Sequence, residues 1–204
     1  MLIKSFSELK EIMEADLYRR VGQPIDFKQI IRGWGGYLTH PEFRYVVWLR
    51  IGSYCVGRRY LFALLMLALI RLRLLRYKTG IQITPFTKIG KGLFIGHIGS
   101  IVINSAVEIG ENCNIIQTCT IGVAYRKSGA PKIGDNVYIG PGSRIIGPVV
   151  IGNNVAIGAN AVVTKSFPDN SVVAGVPAKL INTNGAEGYI YNYIDADGVL
   201  HPRV

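Results

Sequence analysis

From Ile83 onward an aliphatic residue returns every six positions: Ile83, Ile89 and Ile95, then Ile109, Ile115, Ile121, Ile133, Ile139, Ile145, Ile151, Ile157 and Val163. Glycine usually follows directly, at Gly90, Gly96, Gly110, Gly122, Gly134, Gly140, Gly152 and Gly158. Four positions after the aliphatic residue sits a mostly small one, as at Cys113, Cys119, Ser143 and Ala161. This period predicts a triangular solenoid. Each hexad supplies one short strand, its aliphatic side chain fills the interior, and the glycine permits a tight corner. With three hexads to a coil, about five coils fit between Ile83 and Ala174.

Two interruptions break the period. Ile95 and Ile109 are 14 residues apart, two more than two hexads, so the register slips within residues 95–103. Between Ile121 and Ile133 the aliphatic residue expected at 127 is missing, and the stretch Val123 to Lys132 reads as a loop pushed out of the coil. In repeat proteins such interruptions commonly sit on the binding face.

The first 78 residues read as helical. Ser7-Glu8-Leu9-Lys10 opens a helix to about Arg20, and two more are expected over about Pro41–Val56 and Tyr60–Lys78. A Gly/Pro-rich patch lies between, including Gly22-Gln23-Pro24 and Gly33-Trp34-Gly35-Gly36. The fold class is therefore α+β, an N-terminal helical domain (1–79), a β-helix (80–181) and a C-terminal tail (182–204). Tyr189, Tyr191 and Tyr193 mark that tail, which is expected to pack on the solenoid as a hairpin.

The net charge of +10 is concentrated in the helical part, where eight basic residues and no acidic one fall between Phe43 and Lys78. Such a face suits a polyanion, an anionic lipid surface or a phosphorylated cofactor. No nucleic-acid-binding motif accompanies it. The three cysteines have no metal-like spacing and argue for free thiols in a reducing compartment. The apolar run Tyr60–Ile70 is 11 residues long, short of the roughly 20 that a membrane span needs. A cytoplasmic protein is expected, with peripheral contact at the inner membrane face as an option through Trp48, Leu61–Ile70 and the neighbouring cations.

One histidine, His97, lies in the solenoid, at the register slip. An acceptor alcohol is a poor nucleophile at neutral pH, and histidine, with an ordinary pKa of about 6.5, is suited to remove its proton as attack proceeds. Residues 80–181 resemble the serine acetyltransferases and their relatives in surface-polysaccharide clusters. The resemblance rests on Thr87-Lys88-Ile89-Gly90-Lys91-Gly92, Gly96-His97, Lys127-Ser128-Gly129, Pro131-Lys132-Ile133 and Ala174-Gly175-Val176-Pro177-Ala178-Lys179. It implies a left-handed parallel β-helix, a homotrimer or hexamer with active sites between subunits, and direct transfer from acetyl-CoA with His97 as general base. No metal is implied, and the three histidines lie too far apart for a metal-dependent hydratase.

The departures from that family concern the acceptor. Gln82 stands where the serine enzymes have an aspartate that orients the histidine, and Gly96 where they have another; the loop before Pro131 is two residues shorter and lacks their Arg-His pair. Gln82 can orient the imidazole through its amide oxygen, or a carboxylate such as Glu42 or Asp16 can serve. Gly96, His40 and Glu42 are the candidate acceptor residues. Without the usual charged grip on serine, a sugar hydroxyl in surface-polysaccharide synthesis, free or lipid-linked, is the expected acceptor, with L-serine as the alternative and a non-catalytic trimeric scaffold as the third reading. For the coenzyme, Lys165, Lys179 and Arg144 are the candidate phosphate cations, and Gly140, Gly158 and Ala159 lie where the pantetheine arm would pass.

Overall fold

The computed structural model describes residues 3–24, 26–28, 40–126, 128–195 and 197–202. The expected glycine patch at Gly33–Gly36 and Lys127 lie outside them. Helix α1 runs Phe6–Val21, capped by the Ser5 hydroxyl, which accepts from the Glu8 N–H, and closed by Gly22 at φ 70°. Helix α2 spans Pro41–Cys55, with proline at its first turn, where no N–H is needed. A 3-10 turn at Arg59–Leu61 leads into helix α3, Phe62–Thr79, which ends on left-handed Gly80.

From Ile81 the chain winds through three parallel faces. The first stacks Ile81–Gln82, Ile101–Ile103, Thr120–Gly122, Arg144–Ile146 and Val162–Val163; the third stacks Phe94–Ile95, Asn114–Ile115, Tyr138–Ile139, Ala156–Ile157 and Val172–Ala174. On the second face Ile89, Ile109, Ile133 and Ile151 are register partners, so successive coils take 20, 24 and 18 residues. The two extra residues of the first coil fall at His97–Ser100. The six extra of the second fall in the loop after Gly122, as the broken period predicts. The repeating isoleucines form one continuous buried column with Tyr45, Val46, Leu49 and Leu72 of the helices. Each such side chain contributes about 1.5–3 kcal/mol by leaving water.

The glycines do a different job from the one the sequence suggests. Those after the aliphatic residues keep ordinary dihedrals, and all but Gly122 leave little or no room for a side chain: a Cβ on Gly90 would stand 2.7 Å from the Gly110 carbonyl, and one on Gly110 2.7 Å from that of Gly134. The left-handed corners are made instead by Asn112, Asn136, Asn154 and Asn170, with φ between 54° and 60°. Asparagine tolerates that region better than other side chains.

The helices are fastened to the first coil by buried charge. Arg50 grips Asp16 at 2.8 Å and donates to the carbonyls of Ile89 and Gly90, while Asp16 accepts from the Leu93 N–H. Arg19, 2% exposed, reaches Gly92, Asn114 and Tyr191, and burial lowers its pKa to about 10. After an antiparallel strand at Lys179–Asn182, the tail is a strap rather than a hairpin alone. It runs back along the third face, with Tyr189 stacked on Tyr138 and the Asn114 amide donating to the Tyr189 carbonyl. Only its end, Tyr193–Ile194 with Leu200–His201, forms the small hairpin. Among the described residues no helix is long and apolar enough to cross a membrane.

Candidate active site

The corner between the third and first faces carries the candidate chemistry. Gly96 donates to the Ile115 carbonyl, Ile116 to Ile139, Gly140 to Ile157 and Gly158 to Val173, so Gly96, Gly140 and Gly158 occupy one column along the solenoid edge. With coils about 4.8 Å apart, Gly96 and Gly158 are separated by roughly 14 Å along that edge. His97 and Ala159 follow directly, so the imidazole and the expected pantetheine path share one ridge. His97 is exposed, in the turn whose Gly99 N–H donates to Thr79 at 2.8 Å.

Among the described residues the carboxylates that meet a histidine are Glu42 with His40 at 3.1 Å and Asp195 with His201 at 2.9 Å; none meets His97. Asp16, considered as an orienting carboxylate, is committed to Arg50 and the Leu93 N–H. Gln82 lies on the outer row of the first face, abreast of Val102, and lines a cavity between α3 and the first coil.

Glu42 is buried and bonded to Arg20 at 3.0 Å, and Arg20 also donates to the Ile95 carbonyl, two residues before His97. This link brings His40 and Glu42 to the neighbourhood of the turn that holds His97. Arg20 itself gave no signal in the sequence. Burial lowers its pKa, and Glu42 opposes that effect.

The coenzyme candidates separate into two places. Lys179 pairs with Ala174, next in the column after Gly158. Arg144 is occupied through Nη1, which donates to the carbonyls of Thr118 and Gly142 at 2.6 Å each, so that nitrogen is not open to a phosphate. Lys165 stands at the far end of the first face, sharing a cavity of about 260 Å³ with Arg126 and Thr164, its ammonium 5.4 Å from the Phe167 ring centre.

Residues 130–165 match the family model described as bacterial transferase hexapeptide (six repeats). A serine acetyltransferase of Neisseria gonorrhoeae, solved in complex with serine, superposes with a TM-score of 0.68 at 30% identity, covering 85% of this chain and 69% of that one. The chain belongs to the hexapeptide-repeat acyltransferase family. Another serine acetyltransferase, solved in complex with CoA, gives a TM-score of 0.66 at 26% identity, covering 84% of this chain and 68% of its own. The serine acetyltransferase of Staphylococcus aureus strain Mu50 is 44% identical over 112 residues, 54% of this chain and 53% of the relative. This chain thus spans about half the length of the curated relatives it matches.

These similarities overturn the sugar acceptor expected from the sequence. The relatives and solved structures named above are serine acetyltransferases, and the Neisseria gonorrhoeae enzyme was solved in complex with serine. Gln82 and Gly96, uncharged, do not by themselves name the acceptor.

Proposed function

We propose that the protein is an acetyl-CoA-dependent serine O-acetyltransferase, with His97 as general base. The observation that carries this reading is His97 at the head of the Gly96–Gly140–Gly158 ridge in a chain similar to serine acetyltransferases. The imidazole takes the proton from the serine hydroxyl as its oxygen attacks the thioester carbonyl. The tetrahedral intermediate collapses, the carbon–sulfur bond breaks, and the proton passes to the departing thiolate, giving O-acetylserine and coenzyme A. The ridge suits the pantetheine arm because Gly140 and Gly158 carry no side chain to obstruct it, and Lys179 would meet a phosphate at its end. Gln82, neutral, is the proposed orienting group, and Glu42 with His40 the proposed acceptor-side groups.

We also propose a homotrimer. Supporting it is the exposed row Leu67, Ile70 and Leu74 on α3, 41%, 57% and 56% accessible, an apolar stripe suited to burial against a second copy. Light scattering on the eluting protein should give three chains; a monomer at all concentrations would remove this part. The activity is tested by mass spectrometry after incubation with acetyl-CoA and L-serine. Acetylation at the serine oxygen by the parent and not by His97→Asn supports the reading, and no acetylserine from either removes it.

A further inference from the structure

A cavity of about 470 Å³ opens between α3 and the first coil, within the size range of small-molecule sites. Two guanidiniums, Arg73 and Arg76, face it from α3, and Gln82 and Thr84 face it from the coil. The arginines lie three positions apart, so they project from one side of the helix.

Their charge is uncompensated. The sequence contains no Asp or Glu from residue 43 to residue 107. Among the described residues the ion pairs fall elsewhere, and neither arginine has a carboxylate partner. Two unpaired guanidiniums beside an amide and a hydroxyl form a receptor for an oxyanion, and a carboxylate matches arginine through paired N–H donors.

The cavity and the His97 turn meet the same stretch of chain, the end of α3 and the start of the first coil. Its wall at Gln82 begins two residues after Gly80, and the turn holding His97 lies directly on Thr79 and Gly80 through the Gly99 and Ile101 N–H groups, at 2.8 and 3.2 Å. We propose that this cavity is the acceptor's carboxylate subsite, with Arg73 and Arg76 holding the carboxylate of an amino-acid acceptor whose hydroxyl points to His97. The idea rests on the serine reading above. Gln82 then has a second task, donating its amide N–H to the same carboxylate.

The test compares L-serine with L-serinamide, which lacks the carboxylate charge, in the parent and in Arg73→Gln, Arg76→Gln and the double variant. Both arginines are exposed, so the fold is expected to survive, with circular dichroism as the check. The double variant should raise the KM for L-serine roughly tenfold to a hundredfold, as loss of charge-assisted hydrogen bonds does. The KM values for L-serinamide and acetyl-CoA should stay at the parent's. Equal effects on serine and serinamide overturn the proposal, as does a rise in the acetyl-CoA KM alone, which would assign the arginines to the coenzyme phosphates. Should the parent fail to acetylate L-serine, the functional reading falls and calorimetry with L-serine decides the cavity. Binding that disappears in the double variant sustains the carboxylate site, and no binding to the parent overturns it.

Discussion

Replacing Arg50 with methionine should separate the helices from the solenoid more effectively than any change on the surface. Arg50 and Asp16 have side chains 3% and 1% exposed, so both charges sit out of water and depend on each other. The substitution removes two hydrogen bonds to Asp16 and those to the Ile89 and Gly90 carbonyls, leaving Asp16 buried against the Leu93 N–H. Stranding one member of a buried pair costs about 3–5 kcal/mol. For a chain of this size each kcal/mol lowers Tm by about 2–4 °C, so a fall of roughly 6–20 °C is expected. Thermal unfolding followed by circular dichroism measures it. Lys88→Ala is the internal control, because the Lys88–Glu108 pair is half-exposed, and loss of such a pair costs about 0–1 kcal/mol. The double variant Asp16→Asn/Arg50→Met should lose less than Arg50→Met alone, since no charge is left behind. An Arg50→Met protein within about 1 kcal/mol of the parent would refute the argument that a buried, desolvated pair joins the two parts.

Burial pushes the Cys113 thiol up to about 12, so it should resist a thiolate-specific reagent at pH 8 in the folded protein and react once unfolded; rapid labelling of native Cys113 would contradict this. The His201 ring and the Val199 N–H hold Asp195 below the ordinary aspartate range. A depressed pKa means that the hairpin's carboxylate contacts are fully present above about pH 3.9, the unfolded value, and are lost as pH falls through the lower folded one. The ring shifts of stacked Tyr193 and His201 should report that loss by NMR, and a step that persists in Asp195→Asn would be inconsistent with the assignment.

The solenoid was legible because its constraint is local and repeated. Ile89, Ile109, Ile133 and Ile151 became register partners, and the two breaks became the His97 turn and the loop after Gly122. The left-handed corners had a signal too, since Asn112, Asn136, Asn154 and Asn170 recur with the coil spacing. The contacts that unite the parts had none. Arg19 meets Asn114 across 95 residues, and Arg50 meets Ile89 across 39, through long side chains whose direction no period encodes. The cavity beside Gln82 had no sequence signal either. The missing charges at Gln82 and Gly96 were visible in sequence, whereas Arg73 and Arg76 join Gln82 around one cavity only after α3 folds against the first coil.

The most direct test of the account is thiol release from acetyl-CoA by the purified protein with L-serine, alongside His97→Ala. The account predicts serine-dependent release that falls about 10²- to 10⁴-fold in the variant, the usual contribution of a general base, with coenzyme A binding retained. Equal release from both proteins would contradict the role of His97, and no serine-dependent release from the parent would contradict the serine acetyltransferase reading itself.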